Sequence, residues 1–69
     1  MYTAEIVKTM RENKGLTQVE LAERAQISPM TVYNIESGTT DTKVDTLIRI
    51  ADACDYDLVF NPRYKGGYL

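Results

Sequence analysis

Amide and hydroxyl side chains are the chemically informative groups of this 69-residue chain, and their chemistry is hydrogen bonding. Asn34 carries an amide that can bond both N6 and N7 of an adenine. Thr31 adds a hydroxyl and a methyl group, and Gln18 adds a second amide. The sequence has no histidine, no glycine-rich phosphate loop and no cysteine–histidine pair to activate a nucleophile. We therefore expect a binding protein, and neither an enzyme nor a cofactor site.

Carboxylates near the end of the chain raise the question of a metal site. Asp52, Asp55 and Asp57 lie close together in sequence. They lack the spacing and the glycine of a calcium-binding EF-hand loop, so they are better interpreted as a solvated helix end. No metal site is expected.

Two short helices with clear start signals position the hydrogen-bonding side chains. The first is predicted over about residues 18–25 and opens with a capping box formed by Thr17 and Glu20. The second is predicted over about residues 29–37, with Ser28 as its N-cap and a proline at its first helical position. Two capped helices this close in sequence must cross steeply, which is the geometry of a helix-turn-helix.

The segment from Leu16 to Gly38 resembles the helix-turn-helix of the phage Cro and repressor family, also called XRE-like. The family pattern, hydrophobic-T-Q-x-E-L-A-x-x-A-x-I-S-x-x-T-V-x-x-I-E-x-G, is matched with one departure, at Gln26. The likeness extends from about Ile6 to Ala53, roughly four-fifths of the chain. It implies a sequence-specific DNA-binding transcriptional regulator. Most such proteins are repressors that bind a palindromic operator as homodimers, with recognition helices about 34 Å apart.

The resemblance also implies which side chains meet double-stranded DNA. The first residues of the second motif helix enter the major groove, and the base-contacting residues are then Pro29, Met30, Thr31 and Asn34. No arginine is among them, so the commonest guanine contact is missing. We expect an A·T-leaning site that is read partly through DNA shape.

Further positions are implied to contact the DNA backbone: Gln18, Ser28, Tyr33, Thr39, Thr40, Thr42 and Lys43. Gln18 opens a helix, where phosphate binds well, and relatives also use this glutamine to brace the recognition helix. The alternative for the threonines and the lysine after the recognition helix is that they only form a capped loop and do not contact the DNA backbone. The alternative for Tyr33 is that it packs on a dimer partner instead of on the sugar–phosphate backbone of DNA.

Two positions are expected to act through structure. Arg11 could bind phosphate, but the resemblance favours an ion pair with Glu36 that fixes the recognition helix against helix 1. Gln26 occupies a turn position where relatives carry glycine, because the backbone there is left-handed. A glutamine in that conformation costs about 1 kcal/mol.

The rest of the pattern predicts an all-α bundle of four to five short helices. Helix 1 is predicted over about residues 4–14 with Thr3 as its cap, and helix 4 over about residues 43–54 with Thr42 as its cap. The residues predicted to face the core are Ile6, Val7 and Met10 in helix 1; Leu21, Ala22 and Ala25 in helix 2; Val32 and Ile35 in helix 3; and Val44, Leu47, Ile48, Ala51 and Cys54 in helix 4.

The pattern changes after residue 55, so residues 1–55 are predicted to form the DNA-binding domain and residues 56–69 a dimerisation element with a flexible tail. Residues 57–61 are β-prone. A lone strand needs a partner, so we expect a short C-terminal β-strand that pairs with its copy across a dimer, through Leu58, Val59 and Phe60. A disordered or merely extended tail is the alternative.

The net charge of −2 opposes a DNA-binding function, because binding phosphates normally needs a basic surface. Lys8, Arg11 and Lys14 nevertheless cluster on helix 1, whereas aspartates concentrate in the C-terminal half, so we expect a bipolar molecule. The serious alternative function is an antitoxin-type or other interaction module that binds a cognate toxin or another protein, with weak or no DNA binding of its own. One cysteine and no membrane-spanning or signal pattern indicate a reducing, cytoplasmic location.

Overall fold

Four helices pack around one core in the computed structural model, which describes residues 3–63. They are α1 (Thr3–Lys14), α2 (Gln18–Ala25), α3 (Pro29–Glu36) and α4 (Val44–Ala53). Both α1 and α2 pack against α3 and α4. The predicted all-α bundle is confirmed over the described residues, with four helices. Among these residues, no helix combines the length and the apolar character needed to cross a bilayer.

The start signals of α2 and α3 form as predicted. The Thr17 hydroxyl accepts the backbone N–H of Glu20 at 3.0 Å, and the Glu20 carboxylate accepts the backbone N–H of Thr17 at 2.8 Å. The Ser28 hydroxyl accepts the backbone N–H of Thr31 at 3.0 Å. Between the two helices Gln26 has φ 59° and ψ 45°, the left-handed conformation expected of this turn. Local capping chemistry thus fixes where both motif helices begin.

The core is contributed by all four helices and the residue after α4. Its buried members are Val7, Met10, Leu21, Ala22, Ala25, Val32, Ile35, Leu47, Ile50, Ala51 and Cys54. The inward assignments of Ile6, Val44 and Ile48 were wrong, since these side chains are 40%, 53% and 40% exposed. The inner stripe of α4 instead includes Ile50, which is fully buried. Val44 and Ile48 lie on the flank of that stripe, beyond the part of α4 that α1 and α2 cover.

Two predicted caps were also wrong. Thr3 is itself helical, within α1 (Thr3–Lys14), so it is not the residue that precedes the helix. The N-cap of α4 is Lys43, and no side chain caps that helix. The Thr42 hydroxyl is buried instead, without a hydrogen-bond partner in the described part of the chain. Thr42 therefore belongs to the loop before the cap, and α4 begins one residue later than the pattern suggested.

The predicted C-terminal strand is absent from the described chain. Residues 57–61 have no regular secondary structure, because no other extended segment within residues 3–63 is available to pair with them. Lys14 pairs with Asp55, and the side-chain amide of Asn13 donates to the Tyr56 hydroxyl at 2.9 Å. These contacts fasten the start of the segment to α1. The predicted flexible tail comprises residues 63–69, of which residues 64–69 lie outside the described residues.

Candidate nucleic-acid interface

The outer face of α3 presents apolar and polar groups side by side. Met30 and Tyr33 are 64% and 55% exposed, Pro29 is exposed, and Thr31 and Asn34 are half-buried. The inner face carries Val32 and Ile35, which are buried. The alternation follows helical spacing, so burying two apolar residues leaves the opposite face accessible.

The hydroxyl and amide groups on this face differ in how they are engaged. The Thr31 and Ser28 hydroxyls are 2.8 Å apart and form a hydrogen bond, so the cap fixes the Thr31 side chain. The Asn34 side-chain amide makes no hydrogen bond to any other residue among 3–63, although its backbone carbonyl accepts bonds from Ser37 and Thr39. The Asn34 amide therefore keeps both a donor and an acceptor for a ligand.

A partly buried ion pair holds α3 against α1. Arg11 donates from Nε to Glu36 Oε2 at 2.7 Å and from Nη2 to Glu36 Oε1 at 2.9 Å, in a bidentate arrangement. The two side chains are only 13% and 5% exposed. Arg11 also donates to the carbonyl of Leu16 at 2.8 Å, and the side-chain amide of Gln18 donates to Glu36 at 3.2 Å. These four residues connect α1, α2, the loop between them and α3.

The charge state of Glu36 follows from its neighbours. Burial alone would raise the pKa of this carboxyl group, but hydrogen bonds from Arg11 and Gln18 outweigh burial and lower its pKa below the usual 4.5. The same carboxylate raises the pKa of Arg11. Both groups are therefore charged at neutral pH, and the junction of α1 with α3 is an ion pair there.

The loop after α3 contributes hydroxyl groups and one cation. Thr39 and Thr40 are exposed, and Lys43 is exposed at the start of α4. The Thr39 hydroxyl lies 2.9 Å from the Ser37 hydroxyl and donates to the Asn34 carbonyl at 3.1 Å. Because the Thr42 hydroxyl is buried, that side chain cannot offer a hydrogen bond to a ligand. The prediction that Thr42 contacts the DNA backbone was therefore wrong.

Lys8 lies beside several of these residues. The sequence analysis gave this lysine no role at the site. A cleft of about 220 Å³ is lined by Lys8, Arg11, Gln18, Tyr33, Glu36 and Ser37. The available signal was spacing, since Lys8 precedes Arg11 by three residues and shares its helix face. No cluster of metal-ligating side chains occurs within residues 3–63.

Comparisons with known proteins place this geometry in context. The sequence profile of the helix-turn-helix family matches residues 7–61. A crystal structure of a mutant of the restriction-modification controller protein C.Esp1396I has a similar fold, with a TM-score of 0.78 over 81% of this chain and 73% of that chain. The two sequences are 21% identical, so this likeness concerns the fold alone. No curated protein matches the chain significantly in sequence.

Proposed function

This chain belongs to the helix-turn-helix family of Cro/C1 (XRE-like) type, whose members are DNA-binding regulators of transcription, and on that premise we propose that it is a homodimeric repressor. It would bind a palindromic operator and occlude a promoter, with one α3 in each of two successive major-groove faces. Operator binding requires access to DNA, so we propose that the chain functions in the cytoplasm.

The exposed outer face of α3 is the observation that supports this proposal most directly. Asn34, with its unengaged amide, would bind an adenine edge, and the Thr31 methyl, Pro29 and Met30 would contact thymine methyl groups. Backbone contacts are assigned to Gln18, Ser28, Tyr33, Thr39, Thr40 and Lys43. The Arg11–Glu36 pair would keep α3 at a fixed angle while it lies in the groove.

The homodimer is proposed from the apolar side chains that the single chain leaves uncovered. Leu58 is 37% exposed, Val59 65% and Phe60 75%. Leu58 also lines an apolar groove of about 370 Å³ with Ile6 and Leu47. A small domain gains stability by covering such surface, and a second copy is the simplest partner.

The first test is a titration of the purified chain into duplex DNA from upstream of its own coding region, followed by gel shift at low salt. A random duplex pool in parallel identifies the sequence it selects. We expect saturable binding that weakens steeply with added salt, and enrichment of an A·T-leaning inverted repeat. Failure to retain the upstream DNA, together with no enrichment from the random pool, would overturn the proposal.

Substitution of Asn34 tests the proposed base contact. Asn34→Ala is expected to lower operator affinity by about 5- to 150-fold, because a bidentate base contact contributes about 1–3 kcal/mol. Its melting temperature should not change, since the side-chain amide bonds to no other described residue. Gln26→Ala removes an exposed side-chain amide of the same type from the turn before α3, and operator affinity should be unaffected. Equal effects of the two substitutions would contradict the base contact.

A protein-binding module of antitoxin type is the second candidate. The observation that favours it is the uncovered apolar surface of Val44 and Ile48, which lies on α4 and not on the C-terminal segment. This function predicts tight binding of a partner protein and weak or no DNA binding by the chain itself. The gel shift above therefore separates the two candidates.

A further inference from the structure

An apolar groove between α1 and α4 is open to solvent on the single chain. Its volume is about 370 Å³, and its apolar walls include Ile6, Met10, Leu47 and Leu58. An apolar cavity of roughly 150 Å³ is enough to bind benzene, so the groove has room for an aromatic side chain. None of its lining residues is assigned to DNA, and none belongs to α3. The groove is therefore accessible to a second molecule while α3 lies in DNA.

The segment that leaves this groove carries an aromatic side chain that the single chain does not cover. Leu58 lines the groove, whereas Phe60, two residues later, does not line it and is 75% exposed. Val59 between them is 65% exposed. Pro62 disfavours helical backbone at the residue before it, so less conformational entropy is lost when the segment docks as an extended arm.

The rim of the groove and the end of the segment carry opposite charges. Glu5 and Asp57 line the groove and are exposed, and no cation lines it. Within residues 3–63 neither carboxylate forms a salt bridge. Arg63 follows Phe60 by three residues, is exposed, and forms no salt bridge within the same range. The segment thus complements the groove in both polarity and charge.

We propose that each groove receives the Phe60 side chain of a second copy of this chain, with Arg63 of that copy beside Glu5 and Asp57. The same chain supplies both the groove and the uncovered segment, so a second copy satisfies both at once through two identical contacts. The inference rests on the homodimer of the proposed function. It goes beyond that homodimer by naming the surface that the C-terminal segment occupies.

Substitutions in the groove distinguish this arrangement from pairing of the two segments with each other. Ile6→Glu leaves the segment intact but places a charge in the groove, and it should weaken dimerisation about 30-fold, as for a central interface residue. Val19→Glu is the matched control, because Val19 is 53% exposed and lies on α2, outside the groove. Sedimentation equilibrium measures both variants. If their dimer constants are equal, the groove is not the docking site.

Mixing two defective variants gives the sharpest test. A heterodimer of Ile6→Glu with Phe60→Ala has one intact contact, the segment of the first chain in the groove of the second, whereas each homodimer has none. We expect native mass spectrometry to show this heterodimer at concentrations where neither variant dimerises alone. Mixing Ile6→Glu with Thr9→Arg, which blocks the groove from another exposed position, should give no such gain. Equal populations of heterodimer in the two mixtures would refute the exchange.

Charge reversal tests the position of Arg63. Glu5→Lys and Arg63→Glu should each weaken dimerisation about 2- to 5-fold, the range of an exposed ion pair, and the double variant should restore it. Glu12→Lys reverses an exposed charge of α1 outside the groove and should have no effect. A double variant that dimerises more weakly than either single variant would remove Arg63 from the rim.

Failure of this inference differs from failure of the proposed function. If the unsubstituted chain dimerises but Ile6→Glu behaves like Val19→Glu, the exchange is wrong although the homodimeric repressor stands. If the unsubstituted chain stays monomeric, the exchange and the homodimer fail together, and the gel shift still decides DNA binding. The variants should keep the melting temperature of the unsubstituted chain, and Thr9→Arg replaces Ile6→Glu in the first comparison if the latter does not fold.

Discussion

The junction of α1 with α3 and the segment after α4 are fastened in opposite ways. At the junction, Glu36 is 5% exposed and accepts hydrogen bonds from two side chains. At the segment, the carboxylate of Asp55 is 69% exposed where it pairs with Lys14. Beyond that pair, Phe60 is 75% exposed. The ion pair at the junction is largely buried, whereas the ion pair that holds the segment after α4 is exposed at the surface.

This difference separates an ion pair that the fold needs for its shape from a segment on which the proposed dimer depends. A buried ion pair is costly to break, because the remaining charge stays desolvated. An exposed ion pair contributes little, because water solvates and screens both partners. The orientation of α3 is therefore fixed by the single chain, while the apolar residues after α4 remain exposed in it.

The largest effect is expected at the junction. Glu36→Ala should lower the free energy of unfolding by about 3 kcal/mol, because it leaves the Arg11 guanidinium partly buried without its counter-charge. For a domain of this size that corresponds to a melting temperature lower by more than about 10 °C, measured by circular dichroism. Glu23→Ala removes an exposed glutamate and should leave the melting temperature nearly unchanged. Similar melting temperatures for the two variants would show that the pair does not stabilise the fold.

Acid should weaken the same junction. The pKa of Glu36 is lowered in the folded chain, so its contribution to stability is present above the unfolded value of 4.5 and is lost as pH falls through the folded value. The difference in unfolding free energy between the unsubstituted chain and Glu36→Ala should be constant from pH 7 to about pH 5 and should shrink below about pH 4.5. Urea denaturation at several pH values measures it. A difference that persists to about pH 2 would contradict the lowered pKa.

At the segment, substitution should affect association and spare the fold. Phe60→Ala is expected to weaken dimerisation by about 2 kcal/mol, or roughly 30-fold, as for a central aromatic residue of an interface. The monomer should keep its melting temperature because the ring is largely exposed. Met30→Ala is the matched control, since Met30 is 64% exposed but lies on α3. Sedimentation equilibrium measures both variants, and an unchanged dimer constant for Phe60→Ala would remove the segment from the interface.

The smallest effect is expected at the turn between α2 and α3. Gln26→Gly should stabilise the chain by about 1 kcal/mol, because glycine adopts φ 59° without the steric cost that a Cβ adds. Gln26→Ala keeps the Cβ and should give no such gain. Chemical denaturation of the two variants measures the difference. Loss of stability in the glycine variant would show that the glutamine side chain contributes a contact that outweighs the strain.

Local signals explain which parts of the fold could be predicted. The capping box of Thr17 and Glu20 and the N-cap of Ser28 act within one helical turn, so the sequence reveals them directly. The core faces of α2 and α3 could be predicted for the same reason, since helical spacing sets one apolar side. The proposed cap at Thr42 failed by a single residue, because the end of a polar loop has several chemically similar candidates.

Packing explains the expectations that failed. The apolar residues of α4 outnumber those that its two neighbours can cover, and the pattern alone did not show that Val44 and Ile48 would be left on the flank. No strand forms over residues 57–61 of the single chain, because a strand requires a second extended segment and residues 3–63 of the same chain supply none. Lys8 was not assigned because its place beside Gln18 and Tyr33 depends on how α1 crosses α2 and α3.

The sequence by itself determined the two motif helices and their starts, because caps and apolar spacing are short-range properties. It also carried the family resemblance, and that resemblance implied the left-handed conformation at Gln26. Only the tertiary structure decided how deeply Arg11 and Glu36 are buried, which apolar side chains of α4 remain uncovered, and which charge stands in the cleft beside Tyr33. These properties depend on the distance and angle between helices that are far apart in the chain, and no local pattern encodes them.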